Sequence, residues 1–399
     1  MPSGVAAAAY IDLSRTVRAL SGIAEQTTHV LAGSPLRNVP RSMQNERFMI
    51  TSVIDAAQQF PELFTGATDV AAGVRALSQS VGHIDAARAA YEAGVTVGRK
   101  GARDVSGATE HVRQAARAVD RAHELLGGTQ ALPEFEGVGS GAVHRDVLDI
   151  APTSHPRVLQ PGHERIQHAI HTVADAGIDR AMGFEGVGAE HIPESGRVLI
   201  APSHGSHLDP LFNSVEIRRP VRFMANAKLA DHPKYGPVLT AAGAFSVQAG
   251  NADEGMRIAR GVLDTDQALI MYPEKMHVKG DFIGAHRNGV AQLALEMQAP
   301  VVPAASYGTR ARRFRREGAG RLLVQMHFGS PIETRGVPHT PFNEVILRER
   351  IAREQESLFM QARDRYLVRR SASDARRPIW IAGGVSAAAG GVAVAAHSD

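Results

Sequence analysis

Between Val70 and Leu126 the apolar positions keep one seven-residue register. Val70, Leu77, Ile84, Tyr91, Val105, Val112, Val119 and Leu126 share it, Gly98 falls in the same phase, and Val74, Val81 and Val95 stand four residues on. Such spacing predicts helices packed along a narrow seam. Glycines 94, 98 and 101 in "GVTVGRKGARD" favour a break there, so the pattern fits one long rod or two helices folded into a hairpin. "NERFMITSVIDAAQQFPELF" just before it reads as another helix, ending near Pro61. The stripe has no Trp or Phe, and its polar face mixes both charge signs. A bundle or a dimerisation seam therefore fits better than a helix lying on lipid.

From Gly127 to Gly162 the periodicity dissolves into "GGTQALPEFEGVGSGAV" and "APTSHPRVLQPG", a linker composition. Beyond it the texture changes. "RVLIAPS", "VRFMANA", "GAFSVQ", "QALIMYP", "PVVPAAS" and "LLVQMHFG" are short apolar runs of strand type, with helical patterns between them in "DEGMRIARGVL" and "NGVAQLALEMQ". This alternation predicts an α/β domain with a mostly parallel central sheet flanked by helices. "PFNEVILRERIAREQESLFMQARDRYLVRR" closes it as a charged amphipathic helix. The expected order is a helical region at 1–126 (bundle or hairpin), a linker at 127–162, the α/β domain at 163–370 and a small-residue tail at 371–399.

Composition narrows the chemistry. A chain of 399 residues is long enough for two or three domains. Lys and Arg (44) barely outnumber Asp and Glu (41), which is no nucleic-acid signature. There is no cysteine, so disulfides, thiol nucleophiles and cysteine-ligated zinc are excluded. The N-terminus lacks the basic segment and long apolar core of a signal peptide. Residues 378–396 are uncharged behind Arg376 and Arg377. That stretch is barely long enough to span a bilayer, and its Ala and Gly supply little transfer energy, so a helix or loose tail on the protein is expected over a transmembrane tail.

The candidate chemistry lies in "VLIAPSHGSHLDPLF", where His204 follows a predicted strand, the place where open α/β sheets bind ligands. Three readings compete. Asp209 before Pro210 has the sequence of a helix N-cap. His204, His207 and Asp209 could converge on a metal, but metallo-hydrolases use H-x-H-x-D-H, and here the spacing differs and Pro210 replaces the last histidine. Finally, His204 could act as a general base with Asp209 as its orienting carboxylate. On a regular helix the two would stand about 140° apart, so a turn through Gly205 and Ser206 must bring them together.

"FEGVGAEHIPESGRVLIAPSHGSHLDP" resembles the PlsC-like glycerolipid acyltransferases of the 1-acylglycerol-3-phosphate acyltransferase superfamily. His204, Ser206 and Asp209 match that family's N-H-x-S-x-x-D block, with Ser203 in place of the Asn. "GAFSVQAG" at 243–250 stands where the family has G-x-[IF]-x-V-x-R-G. "MYPEKMHVKGDFIGAHRNG" stands where it has F-P-E-G-T-R-S and F-K-x-G. The resemblance covers roughly residues 180–330. Two phosphate-binding arginines of the family are replaced, by Ala249 and by His277.

The resemblance implies an acyltransferase. His204 would deprotonate an acceptor hydroxyl, which attacks the thioester of acyl-CoA or acyl-carrier protein. Asp209 would orient His204. Ser206, Gly243, Glu274, Lys275, His277 and Arg287 would bind substrate; either the acceptor lacks a phosphate where the two arginines are missing, or Lys275, His277, Lys279 and Arg287 serve as substitute cations. No metal or bound cofactor is expected. A lipid acceptor at a membrane surface, on the cytoplasmic face, is expected; the arginines of "TRARRFRRE" fit equally a solvated basic loop and a contact with lipid headgroups or an acyl carrier's phosphate. Self-association through the 70–126 helices is a further expectation, and a non-catalytic lipid-binding scaffold is the rival from another class.

Overall fold

The computed structural model describes residues 4–30, 39–97, 105–137, 182–206, 209–217, 219–233, 236–248, 251–274, 277–278, 281–309 and 322–375. The chain begins with a short helix α1 (Gly4–Ala7), then α2 (Leu13–Val30), α3 (Val39–Gln59), α4 (Val70–Val97) and α5 (Ser106–Leu125). The seven-residue register resolves as a hairpin. The start of α4 meets the end of α5, where Thr68 N–H donates to Leu125 O at 2.9 Å. Leu77, Ile84, Tyr91, Val105, Val112, Val119 and Leu126 are all buried. Helix α2 packs on α5 and α3 on α4, so the chain's own helices cover the stripe.

The second half is a seven-stranded sheet in the order β1-β7-β6-β2-β5-β3-β4. The strands are β1 (Met182–Val187), β2 (Val198–Pro202), β3 (Val221–Asn226), β4 (Ala244–Val247), β5 (Ala268–Ile270), β6 (Val301–Tyr307) and β7 (Leu322–Phe328). All pairings are parallel except β6–β7. The alternation of a strand divides β2 between two cores. Leu199 and Ala201 face the cluster formed with α9 (Ala252–Asp264), α10 (Gly289–Met297) and α11 (Pro341–Ala375). Val198 and Ile200 face the opposite cluster, with Phe212 of α6 (Asp209–Val215) and with Phe184, Phe223 and Met326. Two short helices, α7 (Ala227–Ala230) and α8 (Gly236–Ala241), lie between β3 and β4.

The helices pack against the segment that follows β5. Val278, Phe282 and Ala285, which follow β5, belong to the same apolar cluster as α2–α5. On α2, Gly22 makes room for the Phe282 ring; a Cβ there would stand 2.1 Å from Phe282 Cδ1. Arg15 of α2 pairs with Glu349 of α11 at 3.1 Å, with both side chains buried. Burial opposes ionisation of Glu349, but Arg15 and Arg348 outweigh it and hold the carboxyl below its ordinary pKa. Residues 127–137, the first part of the expected linker, lie along α11: Asn343 accepts from Glu136 N–H at 2.9 Å and returns a bond to Glu136 O at 3.0 Å. The rest of that linker and the 376–399 tail fall outside the described residues. Among the described residues no helix is long and apolar enough to cross a membrane.

Candidate active site

Strands β2 and β5 are parallel neighbours, so the segments leaving their C-terminal ends lie side by side. One carries Ser203–Ser206 and the other Tyr272–Glu274. Ser203 fastens the first segment to β6: its N–H donates to Ala304 O at 3.0 Å, and its Oγ accepts from Ser306 N–H at 3.0 Å. The chain then turns tightly. Gly205 and Ser206 both point their N–H groups at Asp209 Oδ2, at 2.7 and 2.8 Å. The same oxygen lies 3.0 Å from His204 Nδ1. Asp209 therefore closes the turn ahead of its own helix and holds the imidazole at once; the amides it accepts precede it, unlike those of a helix N-cap, whose side chain accepts from residues two or three further on. Its side chain is fully buried.

His204 is held on several sides. Its N–H donates to Glu274 Oε2 at 2.7 Å, and its carbonyl accepts from Val278 N–H at 2.7 Å. The ring stacks on Tyr272, with centroids 3.8 Å apart and planes at 19°, and meets His277 at 3.9 Å. The side chain remains 13% exposed, so one edge reaches solvent. A carboxylate at Nδ1 fixes the proton there and leaves the lone pair on Nε2. Burial and the Asp209 charge push the Tyr272 phenol well above its ordinary pKa, so it is neutral. Its oxygen accepts from Asn213 Nδ2 of α6 at 3.0 Å.

Glu274 is 1% exposed. While Oε2 takes the His204 N–H, Oε1 takes the N–H of Gly284 at 3.0 Å. Its visible work is to tie the His204 turn to the 281–288 segment. Arg287 leads away from the imidazole: its N–H donates to Pro273 O at 2.9 Å, while its guanidinium bonds Asn45 Oδ1 and lies 5.2 Å over the Phe48 ring, both on α3. Ser206 is buried beside Asp209. Gly243 makes the positive-φ turn (φ 100°) before β4, its N–H donating to Thr240 O at 3.0 Å and its carbonyl accepting from Phe223 N–H at 3.3 Å. Lys275, Ala249, His207, Lys279 and the 310–316 arginines lie outside the described residues. Among the described residues no three His, Asp or Glu side chains converge in a way that could hold a metal.

Several participants carry no pattern in the sequence. Tyr272 stacks on the imidazole, Asn213 holds its hydroxyl, and Ser203 makes the bond to β6. Asn45 and Glu46 reach the site loop from α3, more than 200 residues away in sequence. Asn213 stands four residues after Asp209, one helical turn on, and that spacing was the available signal for it.

Residues 184–307 match the family model described as Acyltransferase. No curated protein matches the chain. Among solved structures, the chain is similar to the 1-acyl-sn-glycerophosphate acyltransferase PlsC from Thermotoga maritima, with 17% identity, coverage of 49% of this chain and 79% of that one, and a TM-score of 0.41. The His204–Asp209 pair lies inside the segment that matches the acyltransferase model.

Proposed function

We propose that this protein moves a fatty acyl group from a thioester, acyl-CoA or acyl-carrier protein, to a hydroxyl of a lysophospholipid or related lipid acceptor. The observation that carries this reading is the buried Asp209 carboxylate on His204 Nδ1, with the ring edge partly exposed at the end of β2. Nε2 takes the acceptor's hydroxyl proton as that oxygen attacks the thioester carbonyl. Asp209 stabilises the imidazolium so formed. The tetrahedral intermediate collapses, the carbon–sulfur bond breaks, and the departing thiolate takes the proton back from Nε2. A thioester is already activated, so the reading needs no metal or bound cofactor. An apolar acyl chain and an amphiphilic acceptor both favour work at a membrane surface, and we place it on the cytoplasmic side, where both thioester donors are found.

The test incubates the full chain with radiolabelled acyl-CoA or acyl-carrier protein and a panel of lysophospholipids, glycerol phosphate and non-phosphorylated alcohols, each also with a chelator. Label in an ester product, lost in His204→Ala and unaffected by chelator, supports the reading. Label bound without transfer favours a lipid-binding scaffold. Loss of activity with chelator favours a metal site using His207.

A further inference from the structure

The catalytic cluster is tied to the helical half of the chain through one buried carboxylate. Glu46 stands on α3, is 3% exposed, and points Oε1 at the N–H of Ala285, 3.1 Å away. The preceding amide, Gly284 N–H, donates to Glu274 Oε1, and the other oxygen of Glu274 accepts the N–H of His204. Consecutive amides of one loop are therefore held by two carboxylates, one from each half of the molecule. Beside Glu46, Asn45 takes the Arg287 guanidinium of the same loop.

A carboxylate is a poor choice for this position if packing were all that mattered. Glu46 lies within an apolar interior that includes Met43, Met49 and Ile50 of its own helix. Burial pushes its carboxyl up to about 7, against the pull of Arg15, the Ala285 N–H and Arg287 and with the added repulsion of Glu349. Arg15 reaches it from α2, Arg287 from the site loop and Glu349 from α11. An apolar side chain of similar size would avoid the desolvation. What it could not do is hold the Ala285 amide.

We infer that Glu46 is a positioning residue for acyl transfer: from the helical region it holds the 284–287 segment in the place from which Glu274 sets the His204 turn. On this view the helices before residue 126 form part of the catalytic unit. The inference rests on the reading of His204 as the base.

Two variants and two readouts test it. Glu46→Ala removes the acceptor, and Glu46→Gln keeps an oxygen that can accept from Ala285. Small displacements of a reacting group lower turnover by up to about 100-fold. We expect Glu46→Ala to lower kcat about 10- to 100-fold with KM for donor and acceptor little changed, and Glu46→Gln to recover most of the loss. If Glu46→Ala does not fold, Glu46→Leu replaces it. The second readout needs no substrate: deuterium uptake of peptides covering 203–206 and 283–287. It should rise in Glu46→Ala and stay near wild type in Glu46→Gln, with β2 and β5 unchanged in both. A folded Glu46→Ala or Glu46→Leu variant with wild-type kcat, or with unchanged uptake at 203–206, overturns the inference. If the wild type transfers no acyl group while uptake changes as expected, the positioning contact stands and the assigned reaction fails.

Discussion

Asp209 holds His204 with the same oxygen that takes the amides of Gly205 and Ser206. The turn and the imidazole are thus fixed by one atom. Oδ1 of this carboxylate has no partner among the described residues.

This sharing sets the outcome of two substitutions. His204→Ala should abolish acyl transfer and leave the fold intact, because its ring is a partly exposed element of the site and not of either core. In Asp209→Asn the amide oxygen can keep the three contacts of Oδ2 with its nitrogen at the unpartnered Oδ1 position, but the negative charge that strengthens those bonds and stabilises the imidazolium is lost. A rate loss of order 10²–10⁴ is expected, together with a lower melting temperature. Steady-state kinetics and thermal melts check both. An Asp209→Asn variant with a wild-type melting temperature would show that the turn does not depend on this carboxylate.

Glu274→Gln separates a backbone clamp from a substrate ligand. Both oxygens accept main-chain N–H groups, so one of them must become an NH₂ facing another donor. The expected penalty is about 1–3 kcal/mol in stability, with kcat reduced and acceptor KM nearly unchanged. A large rise in acceptor KM at unaltered stability would instead mark Glu274 as a substrate ligand.

The strands from β2 to β7, the hairpin stripe and the His204–Asp209 pair were all legible in the sequence, because each rests on local periodicity or a short motif. Two features of the sheet were not. Strand β1 contains Gly183 and Gly186, which weaken any strand signal; Gly186 leaves room for Glu216, whose carboxyl carbon lies 2.2 Å from where a Cβ would stand. The antiparallel direction of β7 has no helical crossover pattern to announce it, and alternation alone does not give direction. What was least legible in the site is what comes from afar. Glu46 and Asn45 look like ordinary residues of an amphipathic helix until the fold brings Ala285 and Arg287 against them. The helical stripe was readable as a seam, but its partner was not: the sequence allowed a second copy, and the fold supplies α2, α3 and Phe282.

A protein beginning near Gly162 should therefore behave badly. It would expose Val278, Phe282 and Ala285 and strip Glu349 of Arg15, one of its two cationic partners, leaving Arg348. Loss of that apolar cover predicts low solubility or a broadened melting transition. Leu77→Asp and Val112→Asp, each at a fully buried position, should weaken the α4–α5 hairpin and lower acyl transfer with it. Circular dichroism and activity measured on the same samples would decide this. Full activity in a truncated protein would show that the two halves are energetically independent.

Glu46 should also leave a trace in the pH dependence of stability. Its folded pKa, about 7, lies above the ordinary 4.5. The folded protein then binds the proton more tightly than the unfolded chain, so the contribution is present in full below pH 4.5 and is lost as pH rises toward 7 and beyond. The loss is on the order of 3 kcal/mol for a fully buried group. Glu46→Gln carries no such titration. Its stability relative to wild type should rise between pH 5 and pH 8, as read from denaturant midpoints; a constant difference across that range would place the Glu46 pKa near its ordinary value.

The last prediction concerns the acceptor. In the resembling family two arginines grip a phosphate; here their places are taken by Ala249 and His277, and Ala249 lies outside the described residues. His277 lies against the face of His204, with ring centroids 3.9 Å apart, where an imidazole cannot offer the planar two-pronged donor of a guanidinium. Each absent charge-assisted bond forfeits about 1.5–3 kcal/mol, and two together weaken a phosphomonoester by orders of magnitude unless other cations replace them. Arg287 is turned toward Asn45 and Phe48 and is already engaged there. Lysophosphatidic acid should accordingly be a poorer acceptor than a lysophospholipid with a substituted headgroup or an alcohol without that phosphate. Ala249→Arg combined with His277→Arg should shift the preference toward lysophosphatidic acid, measured as the ratio of kcat/KM values for the two acceptors. Efficient acylation of lysophosphatidic acid by the wild type, unchanged in Lys275→Ala, would mean that other residues hold the phosphate, and the arginines at 310–316 would be the next to replace.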